Sequence, residues 1–313
     1  MNQEKHYNTL TEYYQNKLNR KVAKIALNAN FTCPNRDGTK GLGGCTYCSK
    51  MGSGDTAGNP LHSIRDQYFE MKSILTKKWP TALFVPYLQA YSNTYAPLEK
   101  LKELYEGILE LDPNHIVELA IATRPDCFTK ELYDYLNELN QKVPLSIELG
   151  LQTSNEATAQ KINRCCTNAE FTDCVKELKK RNIQVVAHII NGLPNESETD
   201  MLSTIDFLNA LDIDGIKIHS LLLLKDTILF EKYQKEPFPI LSLEEYVDIT
   251  VKQIARLKPS IIIHRLAADG IKDEIFLPKW PLKKLVVMNE IDKRMRKFNI
   301  YQGDDFKEPS HHH

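Results

Sequence analysis

The chain has 313 residues, enough for one large α/β domain or two smaller ones with a real core, and its 42% hydrophobic and 26% charged residues are ordinary for a soluble globular protein. Forty Lys and Arg stand against forty-one Asp and Glu, which excludes a global positive field, so any nucleic-acid partner has to use a local patch. The longest apolar run, Ile216 to Leu224, is interrupted by Lys217, His219 and Ser220, and the polar start lacks a signal-peptide core, so a cytoplasmic protein with no membrane partner is expected.

In chain order, residues 6–20 predict a short amphipathic helix and 21–27 a first strand with alternating Val22, Ile25 and Leu27. A glycine-rich loop with three cysteines follows. Ile64, Tyr68, Met71 and Leu75 recur at helical spacing up to Lys78, and Trp79-Pro80 closes that helix. Strand-like runs at 82–92, 115–126, 144–152, 183–194 and 214–224 then alternate with helical stretches at 98–111, 129–142, 155–182 and 197–212. Six short, nearly continuous apolar strands separated by helices imply βαβ units and a parallel sheet buried on both faces. Periodicity alone leaves an eight-unit barrel, a six-unit partial barrel and an open sheet undecided. In each of them the strand ends carry the chemistry. After Leu224 the reading is an irregular link with two prolines at 225–240, a helix at 241–258, one more short strand at 260–267 and a basic amphipathic helix at 281–299. A core over 1–225 and a C-terminal extension packed on it over 226–310 are expected, with His311 to His313 set aside as a purification-tag remnant.

Seven cysteines, an odd number without regular spacing, argue for thiols or metal ligands rather than disulfides. Cys45 and Cys48 are two residues apart and Cys33 lies twelve positions before Cys45, so three thiolates can serve one centre. A 4Fe-4S cluster normally takes four cysteines, so three leave one iron open for a ligand. A structural zinc site completed by a histidine, or an incidental cysteine pair, stays open on these residues alone. Cys127, Cys165, Cys166 and Cys174 form no second such motif and read as buried small hydrophobes.

With Tyr47 just before the last cysteine, the stretch resembles the cluster motif of the radical S-adenosylmethionine (SAM) superfamily. The long gap from Cys33 to Cys45 is similar in kind to the Elongator catalytic-subunit branch. The CPNRDGT and GGCTYC blocks, the HRL stretch at 264–266, the block from Pro278 to Pro281 and the terminal Gln302-Gly303 resemble the bacterial YhcC/YtqA group. The resemblance implies a partial (β/α)6 TIM-type barrel with a C-terminal helical extension, a 4Fe-4S cluster on Cys33, Cys45 and Cys48, and bound SAM. It places Tyr47, Ser92, Asn93, Thr94, Glu148, Gln152, Arg164 and His188 around SAM. Ser92 to Thr94 stand where many relatives have glycines followed by threonine or glutamate, and Thr123 to Asp126 is similar to a tetrapeptide of the Elongator-like branch. Read as isolated residues, Gln152 suits a helix cap, Arg164 a partner for Glu148, and His188 a core histidine bonded to a carbonyl.

The resemblance further implies cleavage of SAM to a 5′-deoxyadenosyl radical with a low-potential donor such as flavodoxin or ferredoxin. The MnmL-type members of the group convert 5-carboxymethylaminomethyl-uridine at the wobble position of transfer RNA (tRNA) into 5-aminomethyl-uridine, and that is the substrate the resemblance suggests. The implied route runs by hydrogen abstraction from the carboxymethyl carbon, oxidation to an imine and hydrolysis. The helix at 281–299 and the run at 176–181 are candidates for phosphate contact, and Tyr87, Tyr91 and Tyr95 for base stacking, with a solvated helix face and core packing as the plainer readings. A radical SAM oxidoreductase on a small metabolite or porphyrin and a non-catalytic metal-binding module are the other function classes.

Overall fold

The computed structural model describes residues 5–52, 54 and 56–308; the terminal histidines lie outside the described residues. Seven strands form one parallel sheet: β1 (Val22–Leu27), β2 (Leu83–Leu88), β3 (Leu119–Thr123), β4 (Leu145–Gln152), β5 (Gln184–Asn191), β6 (Gly215–Ser220) and β8 (Ile262–Arg265), in that spatial order. Each strand therefore lies beside its predecessor, and the helical crossovers cover one side: α2 (Ile64–Lys78), α3 (Leu98–Glu110), α4 (Lys130–Lys142), α5 (Glu156–Lys161) with α6 (Asn168–Lys179), and α7 (Glu198–Asn209). The result is a curled half-barrel, the one of the arrangements left open by the strand–helix alternation that the resemblance implies.

The helices form where an apolar stripe coincides with a capped start. In α3, Leu101, Tyr105 and Ile108 repeat at spacings of four and three and are buried against the sheet. Each such side chain contributes about 1.5–3 kcal/mol relative to exposure. Thr167, Ser197 and Ser242 begin their helices with reciprocal capping boxes, and Thr129 caps α4 through the Leu132 amide. The first helix, α1, runs only over Leu10–Leu18, later than the periodicity suggested, because the capping box of Thr9 and Glu12 fixes its start.

Alternation along the strands divides the molecule into two environments. Ile25, Leu27, Phe84, Leu88, Leu119 and Ile121 pack outward under the helices. Val22, Leu83, Val85, Tyr87, Ala120 and Ala122 point the other way and gather around Tyr14 of α1. Tyr14 donates to Glu118 at 3.0 Å, and the Ile263 amide bonds to the Asn8 carbonyl at 2.9 Å, so the N-terminal segment reaches the last strand of the sheet. The interior thus has an apolar floor, and it becomes polar toward the strand C-termini.

The segment after residue 225 supplies β8 to this same sheet as well as covering elements. The expected irregular link at 225–240 is corrected: Thr227 caps a helix, α8 (Ile228–Lys235), and only the stretch containing Pro237 and Pro239 is irregular. The expected strand at 214–224 also divides. After Ser220 the chain leaves the sheet, and β7 (Leu223–Leu224) pairs antiparallel with β9 (Ile275–Leu277), a ribbon that the uniformly apolar leucine run concealed. Finally α9 (Leu243–Arg256) packs against α10 (Lys284–Phe298), whose Val287, Ile291 and Met295 are buried.

Candidate metal centre and cofactor cavity

The loop after β1 carries Cys33, Cys45 and Cys48, all half-buried and none in a disulfide among the described residues. Its shape is set by its own polar side chains. Asn35 donates to the Asn163 carbonyl at 2.6 Å and lies 3.6 Å from the Cys45 sulfur, and Asn163 returns bonds to the carbonyls of Gly44 at 2.8 Å and Leu42 at 3.3 Å. Arg36 holds the carbonyls of Cys48 and Ser49. Thr46 is clamped from both sides, its amide on the Ile162 carbonyl at 2.9 Å and its carbonyl on the Leu229 amide at 2.8 Å. A side chain on Gly41 would collide with Asn35 and come within 3.0 Å of the Cys165 sulfur, so the close approach of the loop to residues 163–165 requires glycine there.

The three thiols line one cavity of about 260 Å³ at the strand C-termini. Burial pushes the Cys45 thiol up to about 11, with Cys48 and Cys33 adding to the shift and Arg124 opposing it. Arg124 itself is fixed by Asp126 at 2.8 and 2.9 Å and by the carbonyls of Arg164 and Cys165 at 2.8 and 3.0 Å. Three soft sulfur donors with no carboxylate among them suit an iron–sulfur cluster. Among the described residues no group of three His, Cys, Asp or Glu converges on a single ion; a cubane does not require that, because each thiolate takes a separate iron.

Of the residues expected around SAM, Tyr47, Ser92, Glu148, Gln152, Arg164 and His188 line this cavity, whereas Asn93 and Thr94 do not. Asn93 turns away to donate to the carbonyls of Leu88, Ala90 and Ala122, and Thr94 bonds to Thr123 at 2.6 Å. Ser92 keeps a buried hydroxyl without a partner among the described residues. Gln152 sits after a bulge in β4 with φ 62°, and its amide occupies the space that a side chain on Gly150 would fill. It does not act as the helix cap considered above; Asn155 caps α5. Arg164 pairs with Glu156 at 3.2 Å rather than with Glu148, and binds the carbonyls of Cys166, Leu151 and Thr153 at 2.6, 2.9 and 2.7 Å.

Glu148 is the hub of the barrel interior. Its carboxylate accepts from Lys24 at 2.6 Å, from His188 Nε2 at 2.7 Å and from Lys217. Burial opposes its charge, yet Lys217, Lys24 and His188 outweigh that and hold the carboxyl well below the usual range. Burial and the neighbouring Lys217 push His188 down to about 4, so a neutral imidazole donates its Nε2–H to the carboxylate. Lys217 is 4% exposed, and burial drives its amine down to about 7 against the pull of Glu148. Across the register from Lys217 stands Arg265, where a shift between β6 and β8 breaks the alternation. His264 lies over Gly215, 2.6 Å from where a side chain there would begin, and Arg265 also lines the cavity.

Lys24, Arg124, Lys217, His219 and Arg265 were given no site role from the sequence, although Arg124 lies in the Thr123 to Asp126 tetrapeptide and Arg265 in the HRL stretch. The signal available was Lys217 and His219 at alternate positions of an otherwise isoleucine-rich strand, which puts both on one face of a buried sheet. Tyr87 is buried beside Lys217 at 3.3 Å, Tyr91 lines the cavity, and Tyr95 bonds to Thr39 at 2.8 Å. In the 176–181 run, Lys179 is paired with Asp214 at 2.7 Å, Lys180 with Glu177 at 2.5 Å, and Arg181 with Glu177 and Asp134 at 2.8 and 3.2 Å.

A parallel half-barrel with three cysteines after its first strand, converging on a polar interior cavity, is the architecture of an iron–sulfur radical enzyme. The chain belongs to the radical SAM superfamily, whose model matches residues 33–208, and a radical SAM C-terminal domain matches residues 213–297. It is an enzyme that uses a 4Fe-4S cluster and SAM. It is 42% identical to the YtqA protein of Bacillus subtilis (strain 168), over 98% of this chain and 94% of that protein. It is 31% identical to the YhcC protein of Escherichia coli (strain K12), over 92% of each. Among solved structures, Elp3 from the archaeon Methanocaldococcus infernus has the same fold, with a TM-score of 0.65 and 15% identity over 90% of this chain and 64% of that one. No helix among the described residues is long and apolar enough to cross a membrane.

Proposed function

We propose that this enzyme modifies the wobble uridine of tRNA, converting 5-carboxymethylaminomethyl-uridine to 5-aminomethyl-uridine. The observation that carries the reading is that the three thiols and the polar pocket around Glu148 and Lys217 share one cavity, so a small polar substituent on a base has a place beside the cofactor end. The resemblance of the CPNRDGT and GGCTYC blocks to the MnmL-type group selects the base.

In this reading Cys33, Cys45 and Cys48 hold the cluster. The cluster and SAM, when bound, supply one-electron chemistry and a 5′-deoxyadenosyl radical, with flavodoxin or ferredoxin as the electron source. Gln152 and Ser92 face SAM, Arg164 fixes the loop that carries Cys165 and Cys166, and Glu148 and His188 fix the position of Lys217. The core up to residue 225 carries the cofactors, the segment from 226 onward covers them, and the enzyme works in the cytoplasm with its tRNA.

Nucleoside mass spectrometry of tRNA from a deletion strain tests the reading. Accumulation of the carboxymethylaminomethyl form supports it, and an unchanged nucleoside profile overturns it. A small acidic metabolite is the second reading, favoured by one observation: the cations at 179–181 are engaged by carboxylates and not free for phosphates. Activity of a cell extract that survives nuclease treatment selects that substrate class.

A further inference from the structure

The cations around the β6–β8 wall share their carboxylates. Lys24 and Lys217 share the single carboxylate of Glu148, while Arg265 and Lys284 share that of Asp269, at 2.7 and 2.8 Å. Around this wall Lys24, Lys217 and Arg265 thus meet the carboxylates of Glu148 and Asp269, while Lys284 stands 41% exposed at the margin and the further buried carboxylate of Glu118 is held by Tyr14; Glu148 is fully buried and Lys217 nearly so. The three histidines of this region add no charge: His188, His219 and His264 are all driven neutral, by burial first and by neighbouring basic side chains next. The ring nitrogen Nε2 of His219, which lines the cavity, is buried with no partner among the described residues, and the hydroxyl of Ser220 beside it is in the same condition.

The contrast with the thiol end is informative. There Arg124 is matched by Asp126, and Arg164 by Glu156 and three carbonyls, so those cations are already satisfied. On the β6–β8 wall the donors exceed the acceptors. Lys217 and Arg265 each share a carboxylate with a second cation, so an anion in the cavity would complete their pairing. The amine of Lys217 registers this, since after burial itself the repulsion of Lys24 and Arg265 is what depresses it. The shift between β6 and β8 at His264 is what brings Arg265 to the same cavity as Lys217.

We propose that Lys217 and Arg265, with the Nε2–H of His219, form a carboxylate subsite that seats the carboxymethyl group of the substrate and selects for it. This rests on the substrate reading above for which carboxylate is bound, and on the two cations and the unpartnered His219 nitrogen that line the cavity for a carboxylate being bound. The cluster, when bound, would take the amino and carboxylate groups of SAM at its open iron, which would leave the β6–β8 cations for the substrate.

The test uses reconstituted holoenzyme with saturating SAM and no reductant, so that nothing turns over. Ligand-observed NMR titration compares N-methylglycine, the smallest molecule with the secondary amine and carboxymethyl group, with its amide, and 5-carboxymethylaminomethyl-uridine with its amide. Each acid is expected to bind at least tenfold more tightly than its amide, and Arg265→Gln is expected to abolish the difference. Lys217→Gln should do the same; because it also removes a partner of buried Glu148, the part-exposed Arg265 is the decisive position. Equal binding of acid and amide overturns the subsite, and so does a preference present without SAM that saturating SAM removes, which would assign these cations to SAM. If N-methylglycine shows the preference while tRNA from the deletion strain is unchanged, the subsite stands and the tRNA reading falls. If tRNA accumulates the carboxymethylaminomethyl form without any acid preference, the reverse holds.

Discussion

Replacing Arg164 by alanine separates two roles that the residue could have. The side chain is 2% exposed and makes five bonds: Nε to the Cys166 carbonyl, Nη1 to those of Leu151 and Thr153, and Nη2 to Glu156 and Asn168. The Leu151 carbonyl retains the Thr153 amide at 2.8 Å, so the carbonyls of Thr153 and Cys166 are the ones stranded. At roughly 1–3 kcal/mol for each buried unsatisfied acceptor, Arg164→Ala should cost roughly 2–6 kcal/mol. That is a large part of a typical stability of about 5–15 kcal/mol. Arg164→Lys should recover little, because one ammonium cannot reproduce a fork that meets three carbonyls. Urea unfolding of the cluster-free protein, with and without SAM, is the assay. The expected result is a midpoint lowered equally in both conditions. A midpoint unchanged without SAM, together with weaker SAM binding, would refute the positioning role and make Arg164 a direct SAM ligand.

Two further outcomes follow from the cavity and its margin. Gly150→Ala should displace the Gln152 amide, and a tenfold loss of SAM affinity in equilibrium dialysis with a preserved thermal transition is expected; unaltered affinity would remove Gln152 from the SAM contacts. Burial, reinforced by Asp200, raises the carboxyl of Glu196 from 4.5 to about 7, even though its bond from Thr153 works the other way. The folded protein therefore holds this proton more tightly than the unfolded chain. Its contribution is full below pH 4.5 and is lost as the pH rises through about 7. Glu196→Gln should remove that part of the pH dependence, on the order of 1 kcal/mol after allowing for partial exposure, and identical stability curves for the two proteins between pH 5 and 8 would contradict it.

The parallel strand–helix series was legible because its strands are short apolar runs at regular intervals, its half-barrel form came from the resemblance, and the convergence of the three thiols was legible because Cys33, Cys45 and Cys48 follow the first strand. What the sequence concealed has specific causes. Leu221 to Leu224 continues the apolar run of β6, so nothing in composition marks where β7 leaves the sheet. The bulge at His264 cannot be read from a strand pattern, and without it Arg265 would be assigned to the outer face. Asn93 and Thr94 occupy positions that suggest cofactor contact, yet an amide able to satisfy three carbonyls at once is drawn into the backbone of its own loop. Lys24 and Lys217 look like routine charges in the sequence; only the register that brings β1, β4 and β6 around Glu148 reveals them as a buried group.

The central claim is that Cys33, Cys45 and Cys48 hold a cluster that activates SAM, and anaerobic reconstitution with iron and sulfide followed by a SAM cleavage assay tests it most directly. A brown protein that yields 5′-deoxyadenosine on reduction, with cleavage lost in Cys33→Ala, Cys45→Ala and Cys48→Ala alike, is the predicted result. A colourless zinc-binding protein, or cleavage undiminished in any of the three variants, would contradict it.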